Sequence, residues 1–89
     1  MTPSELRTLE QPIAALPSDE VPPALVARAS AYNAAVSAFR ASVRHALERA
    51  QSGGVIHERR AEALRACAAD LLTAREWLLQ MARNVPPAR

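Results

Sequence analysis

The sequence predicts an all-α protein: a long antiparallel helical hairpin preceded by a short N-terminal helix and arm. Three observations carry that reading. Between Pro22 and Gln51 the residues Leu25, Ala29, Tyr32, Val36, Phe39, Val43, Ala46 and Ala50 recur at alternating spacings of four and three, which lays them along one helix face. Leu64, Cys67, Leu71, Ala74, Leu78, Met81 and Val85 repeat the pattern in a second run. Only Ser52-Gly53-Gly54 between them lacks helix-forming character, and its paired glycines can take the left-handed backbone that ends a helix and reverses the chain. The division that follows is a Pro-rich arm over residues 1–21 and a hairpin over 22–89, with helices at about 22–51 and 56–84.

The arm opens on Thr2-Pro3-Ser4-Glu5, with Thr as the N-cap, Pro at the first helical position and Glu three residues after the cap. Leu6, Leu9, Ile13 and Leu16 then share a face, but Pro12 removes a donor and crowds the preceding turn, so the helix is predicted to stop near Gln11. Leu16 to Pro23, with three prolines beside Ser18, Asp19 and Glu20, reads as a linker.

Pro22-Pro23 opens the first long helix, which spans roughly 45 Å at 1.5 Å per residue. Beside its main stripe runs a second one made only of alanine, Ala24, Ala27, Ala31, Ala34, Ala38 and Ala41. Alanine is a good helix filler, and it also lets another helix approach closely. The second long helix is expected to start near Val55 or Ile56 and to end around Asn84, before Pro86-Pro87. Its apolar face is wide: Ala68, Leu72, Leu79 and Ala82 form a flanking row, and Trp77 lies to the other side of Leu78. One narrow helix cannot cover a face that broad. Folding at the glycines sets Phe39 against Cys67 and Ala68, Val36 against Leu71, and Val43 against Leu64. Tyr32 falls opposite Arg75, where the guanidinium either covers the ring or, the favoured reading, lays its stem on the surface and reaches water.

Composition sets the limits on what the hairpin can do alone. The apolar fraction is 49%, yet 20 of those residues are alanine and the chain has one Trp, one Phe and one Tyr. At about 25 cal/mol per Å² of apolar burial against roughly 1.5 kcal/mol of entropy per ordered residue, such a hairpin comes out near zero by itself. A partner, or the arm folding back, is expected. All 11 basic residues are arginine, which reads as the codon usage of a GC-rich bacterial genome before it reads as function. Residues 1–21 set Arg7 against Glu5, Glu10, Asp19 and Glu20, so the arm is acidic while the remainder of the chain is basic, and the two parts attract. A single Cys excludes an internal disulfide, and no apolar run suits a signal peptide or a membrane helix, so a cytoplasmic location is expected.

No glycine-rich phosphate loop, Ser-His-Asp arrangement or paired carboxylates can be found, and the chain is not expected to be an enzyme or to need a cofactor. His45, in Arg44-His45-Ala46-Leu47-Glu48-Arg49, resembles the phosphohistidine helix of histidine phosphotransfer domains, but Glu48 and Arg49 stand where Lys and Gly usually follow. His57 has no second ligand at metal spacing, and Cys67 reads as a small core residue. Arg40, Arg44, Arg49, Arg59, Arg60 and Arg65 make the turn half of the hairpin basic. A solvated face is the first reading of that charge, an acidic protein surface the second, and nucleic acid the third, because Glu48, Glu58 and Glu62 are interleaved and no aromatic accompanies the arginines.

From about Phe39 to Met81, through Leu47-Glu48-Arg49-Ala50-Gln51-Ser52-Gly53-Gly54 and an Ala/Leu-rich helix ending Leu78-Leu79-Gln80-Met81, the pattern resembles the small cytosolic needle co-chaperones of type III secretion systems. The resemblance implies a short helical hairpin with a Gly-containing turn that binds a larger repeat-type chaperone and keeps a needle subunit from polymerising. The acidic Pro-rich arm departs from that pattern. Taken together, the expectation is a non-enzymatic chaperone or adaptor that sets Leu71, Leu72, Trp77, Leu78, Leu79 and Met81 against another helical protein. The alternatives are a homodimeric four-helix bundle closed through Ala27, Ala31, Ala34 and Ala38, and a phosphotransfer module using His45.

Overall fold

A computed structural model describes residues 1–85; Pro86-Pro87, read above as the stop after the last helix, lie outside the described residues. The chain folds into three α-helices: α1 (Pro3–Glu10), α2 (Val26–Gly53) and α3 (Glu58–Asn84). The last two form the long antiparallel hairpin. The molecule measures 55 × 16 × 16 Å with a radius of gyration of 15.5 Å. A compact chain of this length would have a radius of about 12 Å, so the shape is that of a rod with a high share of surface.

Each helix end has a local cause. The Thr2 hydroxyl accepts from the Glu5 backbone N–H at 3.2 Å and Pro3 opens α1, as its sequence predicts. A 3-10 turn at Pro23–Leu25 leads into α2, the Leu25 N–H donating to the Pro22 carbonyl at 2.9 Å. At the far end Gly54 takes φ +85 and its N–H donates to the Ala50 carbonyl, the left-handed cap that a side chain would strain. The second long helix starts two to three residues later than its apolar pattern suggests. The reason lies in the turn: Ile56 is 4% exposed and belongs to the core, its N–H donates to the Met1 carbonyl at 3.0 Å, and His57 caps α3 by accepting the Arg59 N–H on Nδ1 at 3.2 Å.

Both long helices bury a heptad stripe. On α2 it is the predicted one, from Leu25 through Tyr32, Phe39 and Val43 to Ala50. On α3 the buried line is Ala61, Leu64, Ala68, Leu71 and Leu78, rotated from the predicted stripe: Ala74 is exposed, and Cys67, Met81 and Val85 are half-buried. Ala68, 1% exposed, takes the core place predicted for Cys67, whereas Leu64, Leu71 and Leu78 belong to either stripe. The heptad then puts Arg75 at a core position. It is half-buried beside Tyr32, and its Nε is enclosed without a hydrogen-bond partner among the described residues. The ring that does carry a guanidinium is Trp77, with Arg28 4.9 Å from its centroid.

The arm is part of this core. Leu6 and Ile13 are fully buried and Leu16 is 8% exposed, all in one cluster with Val36, Phe39 and Val43. After α1 the strap carries a 3-10 turn at Ser18–Glu20 and is otherwise irregular up to Val21, and α2 holds it by its backbone. Asn33 uses both ends of its amide, accepting the Leu16 N–H at 2.8 Å and donating to the Leu16 carbonyl at 2.9 Å. The Tyr32 hydroxyl donates to the Ala14 carbonyl at 2.9 Å, and Arg40 donates to the Ile13 carbonyl and pairs with Glu10 at 3.3 Å. From Met1 at the turn to Val21 near the open end, the N-terminal arm folds back as a strap along one flank of the hairpin.

Candidate functional site

The strap leaves the other flank bare. About 100° of helix rotation per residue separates successive side chains, so Asn33 and Arg40, which hold the strap, point some 200° away from Ala35 and Ser42. On that second flank an open groove of about 1120 Å³ runs between α2 and α3. Its α2 wall is Ala35, Ala38, Phe39, Ser42, Ala46 and Ala50; its α3 wall is Ala63, Leu64 and Cys67. Small side chains cause the groove: opposed alanines keep the ridges of the two helices low, and the seam below, floored by Phe39 and Leu64, is left uncovered. Val55, 68% exposed, and Ile56 close it at the turn.

The rim at the turn end carries charge of one sign. Arg49, Arg59 and Arg60 line the groove with His57, and no Asp or Glu is among the described lining residues. The described ion pairs lie elsewhere, Arg40 with Glu10 under the strap and Arg65 with Glu58 outside the groove. The charge of the turn half is therefore directed at an apolar slot, which the sequence, read only as a basic stretch interrupted by glutamates, did not reveal.

The residues expected to meet a partner separate into three groups. Leu71 and Leu78, 6% and 5% exposed, are closed inside the α2/α3 seam and offer nothing to another protein in this conformation. Leu79 is half-buried where Leu16, Pro17 and Val21 of the strap reach α3, and Leu72, one heptad earlier on that flank, is 39% exposed. Trp77 and Met81 lie two heptads beyond Ala63 and Cys67, hence on the groove flank. Trp77 is 40% exposed, and the Arg28 guanidinium over its ring bridges the two helices beyond the groove's end. Of the alanine face, Ala27, Ala31, Ala34 and Ala38 are all exposed, and Ala38 belongs to the groove.

The groups that could carry chemistry are not gathered. His45 is exposed on α2, and the Nδ1 of His57 is taken up by the α3 cap. Cys67 is a free thiol, half-buried in the groove wall. Among the described residues no group of three His, Cys, Asp or Glu could hold a metal ion, and no helix is long and apolar enough to cross a membrane. Burial pushes the Tyr32 phenol above its usual value, opposed by the nearby charges of Arg75 and Arg40.

Compared with protein families, characterised proteins and solved structures, the chain matches none.

Proposed function

We propose that this chain is a non-enzymatic interaction protein, a small chaperone or adaptor that takes a helix of another protein into the groove between α2 and α3. The observation that carries this reading is the groove itself: a slot about 1120 Å³ in volume with alanine walls and an apolar floor, left open on one flank after the chain has covered the other with its own strap. Helices pack at interaxial distances of about 8–10 Å, and small side chains permit the shorter separations. A third long helix would turn the hairpin and strap into a bundle. The finer reading, a co-chaperone of a secretion apparatus, is supported by the hairpin size, the Gly54 turn and the run Leu47 to Gly54. A homodimeric four-helix bundle through the alanine row of α2 is the second reading, and the exposure of Ala27, Ala31, Ala34 and Ala38 favours it.

Photo-crosslinking inside the cell separates these. With benzoylphenylalanine at Ala38, a discrete product joined to a different protein is expected, and with the same probe at Arg44, exposed on the strap flank of α2 one turn from Arg40, it is not. A product of twice the chain mass from Ala38 would assign the groove to a second copy. Equal yields from both positions would remove the groove from the account.

A further inference from the structure

The rim of the groove says more about the occupant than its floor does. We infer that the groove receives one acidic amphipathic helix from another protein, about four turns long, with its carboxylates over Arg49, Arg59 and Arg60. The inference rests on the helical-partner reading above and adds the charge and length of the partner.

Length follows from the longer wall, on α2; the α3 wall from Arg59 to Cys67 runs only about 12 Å. From Ala35 to Ala50 the α2 side of the groove runs about 22 Å at 1.5 Å per residue, or some four helical turns. Shape follows from the alanines, which leave room for the larger side chains of an incoming apolar stripe. Charge follows from the arginines. Three guanidinium groups border a slot whose described lining contains no carboxylate, and an apolar helix without acid groups would partly desolvate them with nothing in return. The chain already contains one instance of this pairing. Its arm, which carries Glu5, Glu10, Asp19 and Glu20 against Arg7, lies on the other flank with Leu6 and Ile13 buried and Glu10 on Arg40.

A second copy fits the groove less well on two counts. Beyond the arm the chain has ten arginines against five acidic residues, so its exposed helices would bring arginine to arginine. Its one acidic helix, α1, has eight residues, about 12 Å, and is already held in the core of its own chain. Nucleic acid fits less well again, because Phe39, the one Phe, Tyr or Trp among the described lining residues, is 3% exposed and cannot stack on a base.

The test uses the full chain and two fluorescein-labelled 18-residue helical peptides in fluorescence anisotropy. Both carry leucine and alanine at the a and d heptad positions; one has glutamate and the other arginine at e and g. The glutamate peptide is expected to bind at least tenfold tighter at low salt, with the advantage shrinking as salt screens the rim. Arg59→Glu with Arg60→Glu, two exposed changes in the first turn of α3 where acidic residues suit the helix dipole, should reverse the order. Filling the slot with Ala38→Trp should weaken both peptides tenfold at unchanged helicity by circular dichroism. Equal affinity for the two peptides, or an order that survives the charge reversal, overturns the acidic-helix inference while leaving a helical partner in place. No binding by either peptide overturns the inference, and tighter binding of a labelled oligothymidylate than of the glutamate peptide assigns the rim to nucleic acid. Unaltered binding to the Ala38→Trp chain removes the groove, and with it the reading on which the inference rests.

Discussion

The two flanks of the hairpin are made of similar helix surface and meet different fates. On the strap flank Tyr32, Asn33, Arg40 and Leu79 offer either a long apolar side chain or a polar group that can grip a backbone, and the strap is held there at several points. On the groove flank the equivalent positions are Ala35, Ala38, Ser42 and Ala63, which neither fill space nor reach out. The contrast teaches that coverage in so thin a molecule is decided by which side chains stand one step to either side of the heptad seam. The seam alone supports neither a monomer with both flanks closed nor an obligate dimer.

The largest effect that would break this contrast belongs to the strap's anchors. Ile13→Ala removes a fully buried side chain that bridges strap and hairpin, and should destabilise the chain by about 2–5 kcal/mol in urea unfolding. Next comes Asn33→Ala, which strips the N–H and the carbonyl of Leu16 of their partner; a loss of about 1–3 kcal/mol is expected by the same measurement. Arg28→Ala, on the other flank, removes a cation over a part-exposed ring and should cost only about 0.5–1 kcal/mol, read from the thermal midpoint. Ala38→Leu in the groove should change stability by less than about 0.5 kcal/mol in either direction. If it destabilised as much as Ile13→Ala, the groove would already be packed and the two flanks would be alike.

A pH effect sharpens the comparison further. The Tyr32 phenol has its pKa raised by burial, so the folded chain holds that proton more tightly than the unfolded chain. Its contribution is intact below the ordinary tyrosine value of about 10 and is lost as pH rises through the folded value. Stability should fall across that alkaline window, where ionisation also removes the hydroxyl's hydrogen bond to Ala14, and the Tyr32→Phe chain should lose this component of the fall.

Much of the fold was legible because it depends on local rules. The Thr2 cap, the Gly54 reversal and the α2 stripe each follow from a residue type at a spacing. The α3 stripe was harder, since Leu64, Leu71 and Leu78 satisfy two overlapping patterns and only packing against α2 chooses Ala68 over Cys67 and Arg75 over Ala74. The strap could be read as acidic and apolar, and its attraction to the basic hairpin was visible in the charges. Its attachment was not, because Asn33 gripping Leu16 is a tertiary contact with no periodic signature; an asparagine amid alanines on a helix was the available signal. The site divides in the same way. Excess apolar width on α3 was visible, but Leu71 and Leu78 belong to the seam, and the groove arises from alanines that look like filler until two helices face each other.

Cys67, in the groove wall, is a built-in reporter of whether that flank is where a helix docks. Its alkylation by iodoacetamide can be timed in the full chain with and without a saturating amount of the glutamate-flanked peptide. Docking in the groove should protect the thiol at least tenfold. A rate that does not change while anisotropy reports the peptide bound would contradict it, placing the helix somewhere other than the open flank.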